Sequence, residues 1–188
     1  MTVMTEHRAS DQEEAVLIDS MATATIHVPV EAVDLATWCF TLSDAEYQAC
    51  SPAHVAAGAT TTSDGRRMSI NVEVVGGSLL VQHYVEEIGE RDHLRLVSHS
   101  DVFTPSGRTN IDVVWELRVT RIDERSCELR NSVRSLAPPE LIAFLGQQGI
   151  PVEVFQAGRR APTEAHNRQE TPEFAKSIER HALARARG

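Results

Sequence analysis

The stretch "IDVVWELRVT", Ile111–Thr120, decides the fold. Ile111, Val113, Trp115, Leu117 and Val119 hold alternate positions, with Asp112, Glu116, Arg118 and Thr120 between them. Successive side chains of a strand point to opposite faces, so this spacing predicts a strand packed on one face and wet on the other. One-sided burial of that kind belongs to antiparallel sheets.

The same period of two extends outward from Val55 to Arg134. Turn signals punctuate it at Asp64-Gly65, Gly76-Gly77, Gly89 to Asp92, Pro105-Ser106-Gly107 and Asp123 to Ser126. Strands separated by tight turns predict an antiparallel meander. Met68, Ile70, Val72 and Val74 share one strand face. In "GGSLLVQHYVEEIGE", Gly76–Glu90, Leu79, Val81 and Val85 share a face with His83, and Tyr84 points away. In "RLVSHSDVF" the two faces are balanced: Arg95, Val97, His99, Asp101 and Phe103 against Leu94, Leu96, Ser98, Ser100 and Val102. We expect His99 and Asp101 to be exposed.

Helical signals flank the meander. Thr23–Val28 reads as a first strand stopped by Pro29, and "VEAVDLATWCFTLSDAEYQACSP" as two short helices. Ser43-x-x-Glu46 has the form of a capping box, which starts the second of them. After Leu136, Pro138-Pro139 precede "ELIAFLGQQG", with Gly149 as the stop. A further helix is expected from Pro151 towards Gln169, with Val154, Phe155, Gly158, Ala161 and Ala165 as its apolar stripe and a break at Pro162. Thr171-Pro172 then restarts a helix carrying Phe174, Ile178 and Ala182 on one side. The organisation expected is a flexible acidic leader over 1–20, with at most a short helix near Ala15–Ile18, a domain over 21–170, and a helical extension over 171–188.

Bulk properties narrow the function. The 188 residues are 41% hydrophobic and 24% charged, enough to bury a core within one domain. A net charge of -9 argues against a general nucleic-acid binder, which needs a basic footprint. No apolar run approaches the roughly 20 residues that span a bilayer. The opening "MTVMTEHRASDQEEAVLIDS" has no apolar core of a signal peptide, and Cys39, Cys50 and Cys127 form no C-x-x-C pair. A cytoplasmic protein with free thiols, without membrane insertion, is the expectation.

The order of elements resembles the helix-grip fold of the SRPBCC superfamily, which includes START lipid-transfer domains, the birch-pollen allergen and bacterial polyketide aromatase/cyclases. The resemblance rests on "TATIHVPVEAVDLATW" (strand, proline, helix), on the meander from Met68 to Ser135 and on the helix from Pro151, and covers about residues 22–169. It implies an α+β fold in which a curved antiparallel sheet wraps a long C-terminal helix. Pro162 and the charged tail from Thr171 depart from the simpler pattern.

Such a fold implies a cavity for a hydrophobic or amphipathic small molecule. The residues proposed to line it are Trp115, Val113, Leu117, Met68, Ile70 and Phe155, with His83 or Asn131 as placed polar groups. A core role for His83 competes with that reading. An enzyme on the same scaffold, aromatase/cyclase-like or a hydrolase, needs an acid–base pair, and His83 or His99 with Asp101 are its candidates. An interaction module with a filled groove is the third reading. No catalytic residue is assigned. No cofactor is expected and no metal, since His83, His93 and His99 match no metal-ligand spacing. Phe174 and Ile178 would pack on a second copy of the chain if the tail stands free, making a homodimer.

Overall fold

The computed structural model describes residues 15–186. Its strands are β1 (Ala15–Ile26), β2 (His54–Thr61), β3 (Arg67–Val75), β4 (Ser78–Gly89), β5 (His93–Thr104), β6 (Gly107–Arg121) and β7 (Cys127–Ala137). Its helices are α1 (Leu35–Thr41), α2 (Asp44–Cys50), α3 (Pro139–Gln148) and α4 (Val152–Arg185). All seven strands form one antiparallel sheet in the order β1-β7-β6-β5-β4-β3-β2. The first strand thus crosses to pair with the last, and the curved sheet closes over α4. This is the helix-grip α+β architecture.

The strand β6 behaves as its spacing requires. Ile111, Val113, Trp115, Leu117 and Val119 are all buried, and Leu117 is wholly so. Gly76 and Gly77 make the β3–β4 turn with positive φ angles of 59° and 77°. A side chain at Gly76 would also meet Arg159 and Pro162 of α4, so glycine there serves both the turn and the approach of the helix.

Three expectations are corrected. First, Ala15–Ile18 is strand, not helix: β1 begins at Ala15 and pairs with β7 up to Ala137. The register slips between Val16 and Ile18, so Leu17 and Ile18 are both buried. Residues 1–14 of the expected leader lie outside the described residues.

Second, neither Pro162 nor Pro172 ends a helix, and α4 runs unbroken for 34 residues. Proline removes one helical donor and crowds the carbonyl four residues earlier. For Pro162 that position is Gly158, on the exposed side of the helix. Just before Pro172, the Thr171 hydroxyl donates to the Asn167 carbonyl at 2.6 Å. Burial of Asn167, Glu170, Thr171, Phe174 and Ile178 on both sides of Pro172 holds the helix together through the weak point. The expected stripe is wrong as well: Val154 is exposed, and of those five residues only Phe155 faces the interior cavity.

Third, the tail does not stand free. Phe174 and Ile178 are each 1% exposed, covered by the chain's own elements. The Trp38 ring meets Phe174 edge-on at 5.3 Å, and its indole N–H donates to Ser177 Oγ at 2.8 Å. The apolar stripe that suggested a homodimer is used inside the chain.

The α2 cap takes part in this docking. Ser43 Oγ accepts from the Glu46 N–H at 3.2 Å, half of the expected capping box. The Glu46 carboxylate turns instead to α4, accepting from Ser177 at 2.6 Å, His181 at 2.9 Å and Arg180 at 3.0 Å. Burial alone would raise the Glu46 pKa, but these three partners outweigh it and hold the group below its ordinary value. A depressed carboxylate stabilises the fold above its unfolded pKa and loses that contribution as pH falls through the folded one. Wild type should therefore exceed Glu46→Gln in stability by about 1 kcal/mol at neutral pH, a figure reduced for solvent screening. The gap should close below about pH 4. Paired urea titrations at several pH values would show it, and a gap independent of pH would sink the assignment.

Candidate functional site

A cavity of about 720 Å³, counting its mouth, lies between α4 and the concave face of the sheet. Its apolar lining comes from Leu17, Ile18, Val75, Leu80, Ile111, Val113, Val133 and Phe155. Tyr47, Asn71, Glu73, Gln82, Tyr84, His166, Asn167 and Glu170 supply the polar wall. Trp115 and Phe174 line it as well, their rings tilted together at 5.9 Å.

Three side chains of this wall, Glu73, His166 and Glu170, gather with buried His54, four groups from three elements. His54 opens β2, and the sheet register sets it directly opposite Glu73 of β3. His166 and Glu170 lie one turn apart on α4. The His54 ring stacks on Tyr47 at 3.8 Å, nearly parallel. Its Nδ1 is 2.7 Å from the Tyr47 carbonyl oxygen, which can only accept, so Nδ1 carries a proton. Its Nε2 then faces Glu170 Oε2 at 3.1 Å and Glu73 Oε2 at 3.9 Å. His166 Nε2 faces the same two carboxylates, at 3.1 Å from Glu73 and 3.2 Å from Glu170. Its Nδ1 lies 3.4 Å from Ser51 Oγ.

Electrostatics follow from this packing. Burial opposes the charged form of His166, but hydrogen bonds to Glu170 and Glu73 dominate and push it up to about 10. Burial likewise opposes the Glu170 carboxylate, and bonds from His166 and His54 bring its pKa below the ordinary value. Burial raises the Tyr47 phenol, and the Glu73 and Glu170 charges raise it further. Arg159 donates to the Val75 carbonyl at 2.8 Å; burial lowers its pKa, and the Glu73 charge acts against that.

Asn131 sits behind this wall, wholly buried. Its Oδ1 accepts from the Trp115 indole at 2.9 Å, and its Nδ2 donates to Glu170 at 3.2 Å and Thr171 at 3.1 Å. It orients the site from outside the cavity lining.

The structure divides the candidates of the sequence reading. Trp115, Val113 and Phe155 line the cavity. Leu117 and Asn131 are buried beside it. His83, Met68 and Ile70 lie on the opposite face of the sheet, which corrects the reading of β3 and β4. The inward residues are Ser69, Asn71, Glu73 and Val75 on β3, and Ser78, Leu80, Gln82 and Tyr84 on β4. Burial was read there from apolar content, but these strands turn their polar side to the cavity. His99 is exposed and pairs with Asp112 at 2.6 Å, while Asp101 pairs with Arg108 at 2.7 Å on the same outer face. Neither reaches the cavity.

His54, Glu73, His166 and Glu170 were missed by the sequence reading. The one local signal is His166-x-x-x-Glu170, which puts two titratable groups on one helix face. The set offers two imidazole nitrogens and two carboxylate oxygens, all within 4.8 Å of one another. It is equipped to hold a proton between acid and base, or a cation.

Comparison with protein-family models and with curated proteins finds no match. Solved structures do match. The Zhui aromatase/cyclase from Streptomyces sp. R1128 superposes with a TM-score of 0.59 at 12% identity, over 90% of this chain and 96% of that one. TTHA0849 from Thermus thermophilus gives 0.51 at 15%, over 89% and 99%. A START superfamily protein from Mycobacterium smegmatis gives 0.50 at 12%, over 88% and 97%. What is shared with these structures is the fold, an SRPBCC-type helix grip. Among the described residues no helix is long and apolar enough to cross a membrane.

Proposed function

We propose that the protein binds an amphipathic small molecule between α4 and the sheet. The apolar body of the molecule lies against Leu80, Val113 and Phe155, and its polar end meets the wall of Tyr47, Glu73 and His166. The observation that carries this reading is the cavity itself, which lies between α4 and the sheet and is mostly apolar with a few convergent polar groups.

An anilinonaphthalene dye should bind stoichiometrically, and native mass spectrometry followed by organic extraction should recover any co-purifying ligand. Val113→Phe, which enlarges a side chain of the apolar lining, should weaken dye binding by about tenfold, or 1.4 kcal/mol. A folded variant with undiminished dye affinity, or a wild type that binds neither dye nor ligand, would overturn the proposal.

A second reading, chemistry on the bound molecule, is favoured by one observation. His166, Glu73 and Glu170 line the cavity with buried His54 beside them, an arrangement suited to proton transfer. The similar structures include aromatase/cyclases. His54 and His166 take the place of His83 and His99 in this alternative. Conversion of an extracted ligand by wild type, lost in a Glu73→Gln variant that still binds dye, would establish it.

A further inference from the structure

We propose that His54, Glu73, His166 and Glu170 form a binding site for one divalent transition-metal ion. Geometry is the first support. A tetrahedral ion with bonds of about 2.0–2.1 Å holds its ligand atoms about 3.3–3.4 Å apart. The four nitrogen–oxygen separations here are 3.1, 3.1, 3.2 and 3.9 Å. Three of these four nitrogen–oxygen separations lie close to that value, and all four ligand atoms fall within 4.8 Å of one another.

Orientation is the second support. His54 Nδ1 donates to the Tyr47 carbonyl, and the fully buried ring aims Nε2 at the carboxylate oxygens of Glu170 and Glu73. An imidazole fixed through Nδ1–H to a backbone carbonyl, with Nε2 aimed inward, is also how proteins orient a histidine for a metal. Ser51 Oγ stands at the equivalent position behind His166.

Charge is the third. Two carboxylates and two neutral imidazoles around a divalent ion sum to zero, which suits a buried site. The donor set selects the metal class: imidazole with carboxylate and no thiolate favours Zn²⁺, Fe²⁺, Co²⁺ or Mn²⁺ over Ca²⁺ and Mg²⁺. Glu73, His166 and Glu170 also line the cavity, so the ion would sit at its polar wall. The inference does not depend on what lies against the apolar lining.

The test uses the full chain, stripped with a chelator, dialysed and titrated with Co²⁺ in the absence of any organic ligand. Wild type should bind one ion, with the visible absorption of a low-coordinate Co²⁺ site. The imidazole nitrogens of His54 and His166 should shift in the NMR spectrum, and Zn²⁺ should raise Tm. Glu73→Gln and His54→Gln should weaken Co²⁺ binding at least tenfold, while His83→Gln on the outer face should not. Failure of wild type to bind, unshifted His54 and His166 resonances, or equal affinity in the variants would overturn the proposal. The wild-type spectra decide the matter even if a variant fails to fold. Dye binding is read separately, so loss of one reading leaves the other standing.

Discussion

Phe174→Ala is expected to destabilise the protein by about 4 kcal/mol. Phe174 is 1% exposed and sits where three rings converge: Trp38 edge-on at 5.3 Å, with Trp115 and His54 each at 5.9 Å. Deleting the ring removes its burial and leaves a void next to an existing cavity, which limits how far the neighbours can collapse. A domain stable by roughly 5–15 kcal/mol would lose a large share. Urea unfolding should show a lower midpoint with an unchanged slope. A double-mutant cycle with Trp38→Ala should return a coupling of about 1 kcal/mol from the ring pair. A loss under about 1 kcal/mol would mean that the C-terminal half of α4 is not docked as described. Deletion of residues 171–188 should then prevent stable folding altogether, because Ala175, Ser177 and Ile178 leave with Phe174.

Asn131→Leu should cost about 3 kcal/mol although the replacement is close in size. The loss arises from three partners rather than from packing. The Trp115 indole loses its acceptor, and Glu170 and Thr171 lose a donor, all inside the protein. Buried groups left without partners forfeit their solvation with no return. Trp115 fluorescence should shift in the folded variant because the indole N–H has been released. An effect below about 1 kcal/mol with unchanged emission would show that these bonds are not made in solution. Since Asn131 holds Glu170, the same variant also tests how tightly the polar wall is positioned.

How far such features can be foreseen depends on the pattern of each strand. On β6 the apolar positions and the buried positions coincide, so Trp115 and Val113 were legible at the cavity. On β3 and β4 they do not. Ser69, Asn71 and Glu73 face inward, as do Gln82 and Tyr84, while Met68, Ile70, Val81 and His83 face outward. Polar residues at alternate positions of neighbouring strands, with Ser98 and Ser100 on β5, are the mark of a polar wall. It looks like a solvated face until one knows what lies opposite. The prolines of α4 misled for a related reason. Local chemistry predicts a break at Pro162 and a new helix start at Thr171-Pro172, and burial on either side of Pro172 decides otherwise.

The sequence by itself determined the antiparallel meander, the caps at Ser43 and Gly149, the inward face of β6 and the helix-grip order of elements. These depend on residues a few positions apart, where side-chain direction is set by local geometry. Only the tertiary structure decided the cavity and its titratable cluster. His54 and Glu73 are 19 positions apart and meet through strand register; His166 and Glu170 join them from a helix more than 90 positions further on. Convergence over such distances depends on how sheet and helix pack, which no periodicity along the chain records.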